Sequence, residues 1–358
     1  MTATMQPAIT NSLTQGQLHA RTPWVTLGLG LTAAAGIVAL ITSATGSEFS
    51  LVGAIALGAL FYLVAIVVIS RLVEGQRKAT DRFVTALVSG AFLIAMAPLV
   101  SLLFTVVVNG SARFDVEFFS SSMRNVVGEG GGAAHAIVGT LLMTGTAAII
   151  SIPIGLFTAI YLVEYGRGPL ARAITFFVDV MTGIPSIVAG LFAFALFAIF
   201  FGPGVRMGFA GAIALAVLMI PVVVRSCEEM LRVVPNELRE ASFALGVPKW
   251  LTILNVVLPT SAAGIATGIM LAIARVIGET APLLIVAGFT ASMNYNLFAD
   301  RMQSLPVFVF TSYANQGVDT QAYLDRAWAG ALTLILIVMV LNLAARLIAR
   351  AFAPKLGR

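Results

Sequence analysis

The chain is poor in charge, cysteine and histidine, and each shortage excludes something. Of 358 residues only 10% are Asp, Glu, Lys or Arg, against roughly 25% in an ordinary soluble domain. Three long stretches, 180–205, 250–274 and 280–299, carry no charged residue at all. Each is about as long as the ~20-residue apolar window that crosses a bilayer core. With 59% hydrophobic residues overall, a soluble fold is excluded. The lone cysteine, Cys227, excludes a disulfide framework and any multi-cysteine metal site. The two histidines, His19 and His135, are too far apart in sequence to suggest a histidine-built metal centre. No Gly-x-x-x-x-Gly-Lys-Ser/Thr occurs, so the chain does not cradle ATP by that route. The net charge of +5 would hint at nucleic acid in a soluble protein, but among membrane spans Lys and Arg report topology first.

What is present is an all-α, polytopic pattern of eight apolar spans, near 24–44, 51–70, 83–108, 136–163, 174–201, 207–224, 260–290 and 328–345. Residues 1–23 are polar, lack the features of a signal peptide and read as a disordered lead. With the N-terminus inside, fifteen of the 21 basic residues fall on inside segments and five outside. That bias puts both termini in the cytoplasm. Spans 24–44 and 51–70 carry no internal charge and are divided from the rest by a basic linker, Arg71 to Arg82. They read as a peripheral packing hairpin. Two outside loops, 109–135 and 291–327, are long for mere turns, and Gly128 to Gly132 reads as a flexible tip in the first.

The inside segment 225–259 is more than a connection. Asn236 reads as a helix cap, with Glu237 and Glu240 suited to the positive end of the helix dipole. Leu238, Ala241, Ser242 and Leu245 then recur at helical spacing. Gly246 supplies a left-handed stop and Pro248 blocks continuation. Lys249 and Trp250 open a second short helix that ends at Pro259. A short, mostly apolar helix followed by a sharp turn suggests docking in a partner's groove.

Three ionisable residues sit inside spans: Asp179, Arg275 and Glu279. Such charges are expensive in a bilayer, at ~2.5–3.5 kcal/mol each on insertion scales. Arg275 and Glu279, spaced i, i+4, share a helix face and can pair. A guanidinium there suits an oxyanion through paired N–H donors, although a structural ion pair between helices would use the same residues. Gly278 and Pro282 flank the pair and make that helix bendable, while Gly264 and Gly268 permit close packing below it. Asp179 lies near the inner boundary of its span and reads first as an interfacial charge. The run Gly183 to Gly190 after it has the same broken-helix composition.

Glu240, Ala241 and Ser242, then Gly246, then Val256, Leu258 and Pro259 resemble the EAA loop of ABC-importer permeases. The family pattern is Glu-Ala-Ala, Gly and a terminal Ile-x-Leu-Pro, so Ser242 and Val256 are departures. Ala274 to Leu284, containing Arg-Val-Ile-Gly-Glu-Thr-Ala-Pro, is similar to the signature of phosphate ABC-importer permeases of the PstA type. Gly183 to Gly190 and Ser304 to Pro306 resemble two further motifs of those proteins. The resemblance covers about 83–358 and leaves 24–82 as an added hairpin and linker.

The resemblance implies a six-helix permease core and a coupling helix, organised by Glu240 and Gly246, that enters a groove on a cytoplasmic ATPase. It implies a role for Arg275 and Glu279 in phosphate passage. Expected partners are a second permease subunit, an ATPase dimer that uses the ATP, an extracytoplasmic phosphate-binding protein and membrane lipid. The chain itself needs no cofactor, metal or covalent step, and no nucleic acid. The candidate pathway residues are Arg275, Glu279, Gly278, Pro282 and Asp179. The candidate coupling residues are Glu240, Ala241, Gly246, Leu258 and Pro259. Two other readings use the same residues: a permease for another oxyanion such as sulfate, and a self-sufficient secondary anion carrier, for which the inverted repeats that such carriers show are not evident.

Overall fold

The computed structural model describes residues 16–317 and 319–352, and every regular element among them is helical. Most of the expected N-terminal lead lies outside the described residues, as do Lys355 and Arg358 of the inside basic count. Seven helices are long and apolar enough to cross a membrane, and a bent pair makes an eighth. The chain forms two compact units, one ending at Leu103 and one beginning at Phe104.

The first unit holds α1 (Thr22–Thr45), α2 (Leu51–Val73) and most of α3 (Gln76–Gly110). Small residues let α1 and α2 approach closely. A Cβ on Gly58 would lie 3.0 Å from Leu31 Cα, and one on Gly30 would lie 3.0 Å from the Gly58 carbonyl. The other faces expose Leu29, Leu40, Leu60 and Leu72, as a lipid-facing surface requires. The elbow before α3 is built on Glu74. Its carboxylate accepts from Ser70 Oγ at 2.8 Å, Leu18 N at 3.0 Å and Arg82 Nε at 2.6 Å. The tail end of the supposedly disordered lead is therefore tied down at Leu18, because this buried carboxylate needs donors.

The second unit begins with the end of α3 and a short helix, α4 (Val116–Ser120). It continues through α5 (Ala134–Ile160), α6 (Pro169–Thr182), α7 (Ser186–Phe201) and α8 (Gly208–Val233). After the cytoplasmic segment come α11 (Leu258–Val276), α12 (Ala281–Val286), α13 (Leu305–Ala314) and α14 (Thr320–Phe352), with α9 (Asn236–Ala244) and α10 (Lys249–Thr252) before them. The core lies along α8, where Leu215, Met219, Val223 and Cys227 pack with Met143 and Ala147 of α5. Gly155 lets α5 come close, since a Cβ there would meet Val223 Cγ1 at 2.6 Å.

Several expectations need correction. The span placed at 174–201 is two helices, α6 and α7, meeting at 109°. Gly183 and Pro185 explain the break, because proline cannot supply a backbone donor and disfavours helix in the residue before it. The span placed at 260–290 ends at Val276, and α12 is separate. Pro259, expected to stop a helix, lies inside one that runs from Lys249 to Val276. A π-helical turn over Ile253–Val257 precedes it and absorbs the missing donor and the ring that would break a regular α-helix.

The glycine-rich tip is not loose. Arg326 Nη1 donates to the carbonyls of Gly128 (2.7 Å) and Gly130 (2.9 Å), and Arg113 Nη2 donates to that of Gly131 (2.9 Å). Nor is 291–327 simply an outer loop. Within it α13 is largely buried against α5 and α14, with Ser304 accepting from Val307 N as its cap. Thr140 Oγ1 accepts from Leu305 N at 2.7 Å, and a Cβ on Gly139 would meet the Gln303 carbonyl at 2.0 Å.

Candidate functional site

The cytoplasmic segment opens at α9. Its cap residue is Pro235 rather than Asn236, whose side-chain oxygen instead accepts a long bond from Arg239 at 3.4 Å. Pro235 fixes the backbone where the helix starts, and Glu237 in the first turn faces the positive dipole end. At the other end, Gly246 N donates to Phe243 O (2.9 Å) and Val247 N donates to Ser242 O (3.2 Å), with Gly246 at φ +76°. That is the paired closure of a Schellman motif, which needs a left-handed residue at this position. A Cβ on Gly246 would meet nothing within 4 Å, so the demand for glycine is conformational.

The expected apolar stripe divides between two faces. Ser242 turns inward and is buried, while Leu238, Ala241 and Leu245 face out, Leu245 at 84% exposure. Ser242 Oγ meets Thr252 Oγ1 at 2.9 Å in a buried pair that closes α9 on α10 across the Gly246–Pro248 turn. Where the family pattern has a second alanine, this chain has a clasp. Glu240 is exposed beside Ala241, Trp250 stands out at 59% exposure, and Leu258 and Pro259 follow the π turn with Pro259 exposed.

Arg239 is the anchor that motif reasoning missed. It donates to the carbonyls of Leu231 (2.9 Å) and Val234 (2.6 Å) at the end of α8 and, through Nε and Nη2, to Glu164 (3.0 and 2.9 Å). Lys249 adds a bond to the Glu164 carbonyl and stands 4.8 Å from the Tyr165 ring centre. One glutamate beyond α5 therefore fixes both ends of the loop. The only warning in the sequence is that Arg239 is the one basic residue within α9.

Asp179 pairs with Arg225 of α8. Arg225 also bonds Glu228 at 2.8 Å, and Arg232 bonds the other Glu228 oxygen at 2.6 Å. The charge is thus part of a network joining the lower half of the broken span to α8, which spacing along the chain could not reveal.

Arg275 is the penultimate residue of α11 and is exposed. Below it on the same face lie Leu271 and Thr267, both exposed, beside an open groove of about 460 Å³ between α8 and α11. Gly264 and Gly268 do pack closely: Cβ atoms there would meet Met230 Sδ at 2.3 Å and Ser226 Cβ at 2.5 Å.

The expected Arg275–Glu279 pair is not formed, and neither residue makes an ion pair with any described residue. The helix ends at Val276, and Glu279 N closes a tight turn to the Val276 carbonyl at 3.1 Å, so the i, i+4 register is lost. Gly278 is exposed within this break. Pro282 is the second residue of α12 and is buried against α7, where a Cβ on Gly190 would lie 2.7 Å from Pro282 Cα. The two broken spans therefore meet at Gly190 and Pro282. Just before Pro282 in the chain stand two opposite charges with no ion pair among the described residues, and a guanidinium can take an oxyanion by two parallel bonds.

Comparison with known proteins agrees with this architecture. The model of the binding-protein-dependent transport system inner membrane component family matches residues 151–358. The chain is 47% identical over 276 residues to phosphate transport system permease protein PstA 1 of Mycobacterium tuberculosis, covering 76% of this chain and 88% of that protein. It is 38% identical over 290 residues to PstA of Yersinia pestis, covering 79% and 93%. Among solved structures, a bacterial alginate ABC transporter chain superposes with a TM-score of 0.54 at 14% identity, over 78% of this chain and 97% of that one. A chain of the inward-facing MetNI methionine ABC transporter gives 0.51 at 20% identity, over 62% and 96%. These last two share the fold.

Proposed function

The chain belongs to the family of binding-protein-dependent transport system inner membrane components, and from that premise we propose that it is the membrane subunit of an ATP-driven inorganic phosphate importer. It is a multi-pass protein of the cytoplasmic membrane and works with an ATPase and a solute-binding protein, as importers of this family do. Phosphate as the solute is supported by 47% identity to a phosphate permease along most of both chains. In our reading the binding protein is specific for phosphate, a second permease subunit completes the pathway, and all ATP chemistry belongs to the partner ATPase.

The observation that carries the coupling role is α9. It is held from behind by Arg239 and Ser242, and its outer face exposes Leu238, Ala241 and Leu245. A helix so mounted transmits force: ATPase closure pushes α9, and the Glu164, Leu231 and Val234 contacts carry the push into α5 and α8. The α11–α12 break lies along the pathway, with Arg275 drawing phosphate and Glu279 opposing tight retention. Transport involves binding, reorientation and release, with no covalent step.

The test is uptake of labelled phosphate at low micromolar concentration in cells with and without this gene, with sulfate measured alongside. Loss of phosphate uptake alone supports the proposal. Loss of sulfate uptake with phosphate unaffected keeps the permease and rejects the solute.

A further inference from the structure

At the end of α8 opposite the coupling loop, two arginines from separate loops converge on one glycine. Gly288 follows α12 with φ +74°, and a Cβ there would lie 3.1 Å from Arg206 Cδ and 3.3 Å from Arg301 Cδ. Backbone bonds hold both loops in place: Met207 N donates to Val286 O and Met302 N to Ala287 O, each at 3.2 Å. Each tether is one residue from an arginine, so the backbone that carries each side chain is held at the same bend, with Arg206 half-buried and Arg301 exposed.

Neither guanidinium forms an ion pair with any described carboxylate. Asp300, the acidic neighbour in sequence, is exposed at φ +58° and pairs with neither. Arg113, at the same end of the unit, does have carboxylates, Asp115 and Glu117. Holding two like charges together without a counter-ion is unfavourable. The arrangement gains when a multivalent oxyanion sits between the two forks, each offering parallel N–H donors.

We propose that Arg206 and Arg301 form an oxyanion-receiving site at the extracytoplasmic mouth, which takes phosphate before it reaches Arg275. The assignment of phosphate rests on the proposed function; the site itself requires only an oxyanion of similar shape and charge. Gly288 suits this bend, since φ +74° strains any other residue and a Cβ there would press on both stems at 3.1 and 3.3 Å.

The experiment uses the complete transporter carrying Phe289→Cys, next to the bend and half-exposed, in a chain whose own cysteine, Cys227, is fully buried. Labelling rates are measured with an anionic and a cationic thiol reagent at constant ionic strength, with inorganic phosphate, inorganic sulfate or neither. The expected result is that phosphate slows the anionic reagent. The double change Arg206→Gln and Arg301→Gln should abolish that protection and lower the anionic-to-cationic rate ratio ~10-fold, the effect of removing a local positive field. Protection by sulfate alone keeps the arginine site and rejects phosphate as its ligand. No protection by either anion, or a ratio unchanged by the double substitution, overturns the site. Protection by the binding protein alone also overturns it, marking the arginines as a protein-docking contact.

Discussion

Pro282 occupies the space that a side chain on Gly190 would need: a Cβ built there lies 2.7 Å from Pro282 Cα. Because the obstruction is backbone, no rotamer change relieves it. Gly190→Ala should force α12 away from α7, lower stability by ~1–3 kcal/mol as overpacking does and reduce phosphate uptake. Thermal unfolding of the solubilised chain and uptake in cells check this together. Wild-type values for both would show that the two broken spans are not locked at this point.

Gly246 offers a cleaner separation, since its surroundings are open. Gly246→Ala should cost ~1–2 kcal/mol of local strain at a left-handed position, and Gly246→Asn less, since asparagine tolerates that region. Gly246→Pro removes the donor to Phe243 O and should uncouple the loop. Co-purification of the ATPase with each variant should fall in the order Gly, Asn, Ala, Pro.

The Ser242–Thr252 clasp predicts a non-additive pair. Ser242→Ala leaves a buried Thr252 hydroxyl with only a long contact to Pro248 O at 3.4 Å, and should destabilise by ~1 kcal/mol or more. Adding Thr252→Val removes the orphaned hydroxyl and should recover part of that loss. Unfolding measured across the double-mutant cycle tests this. Strict additivity would mean that the two hydroxyls do not depend on each other.

Glu74 gives a pH signature outside the spans. The bonded Arg82 guanidinium holds its carboxyl well below the ordinary value of 4.5, at about 2. A folded-state value below the unfolded one means that the ion pair stabilises fully above about 4.5. That contribution declines as pH falls from there and is gone below about 2. Stability of the solubilised chain should therefore drop more steeply between pH 5 and 3 in the wild type than in Glu74→Gln.

How much of this was legible beforehand depends on the range of the interaction involved. Helical spans, the Gly246 stop and the close packing at Gly264 and Gly268 follow from periodicity and residue size, which are local. The continuation through Pro259 was hidden because a π turn upstream cancels the proline's usual effect. The Arg275–Glu279 pairing failed because spacing assumes an unbroken helix, and Gly278 with Pro282 ends it. Arg239, Arg326 and Arg225 act on partners distant in sequence, at Glu164, Gly128 and Asp179. No reading of one segment could pair them. The clasp was visible only as a departure from a family pattern, and its partner Thr252 lies beyond the turn.

The central claim is that this chain carries phosphate past Arg275 while ATP is hydrolysed elsewhere. The most direct measurement takes the complete transporter in proteoliposomes and follows phosphate uptake and ATP hydrolysis together for wild type, Arg275→Lys and Arg275→Gln. Losing a charged, two-pronged contact worth ~1.5–3 kcal/mol should lower uptake ~10- to 100-fold in Arg275→Gln. Arg275→Lys should be intermediate, with ATP hydrolysis continuing in both. Wild-type phosphate uptake by Arg275→Gln would contradict the account.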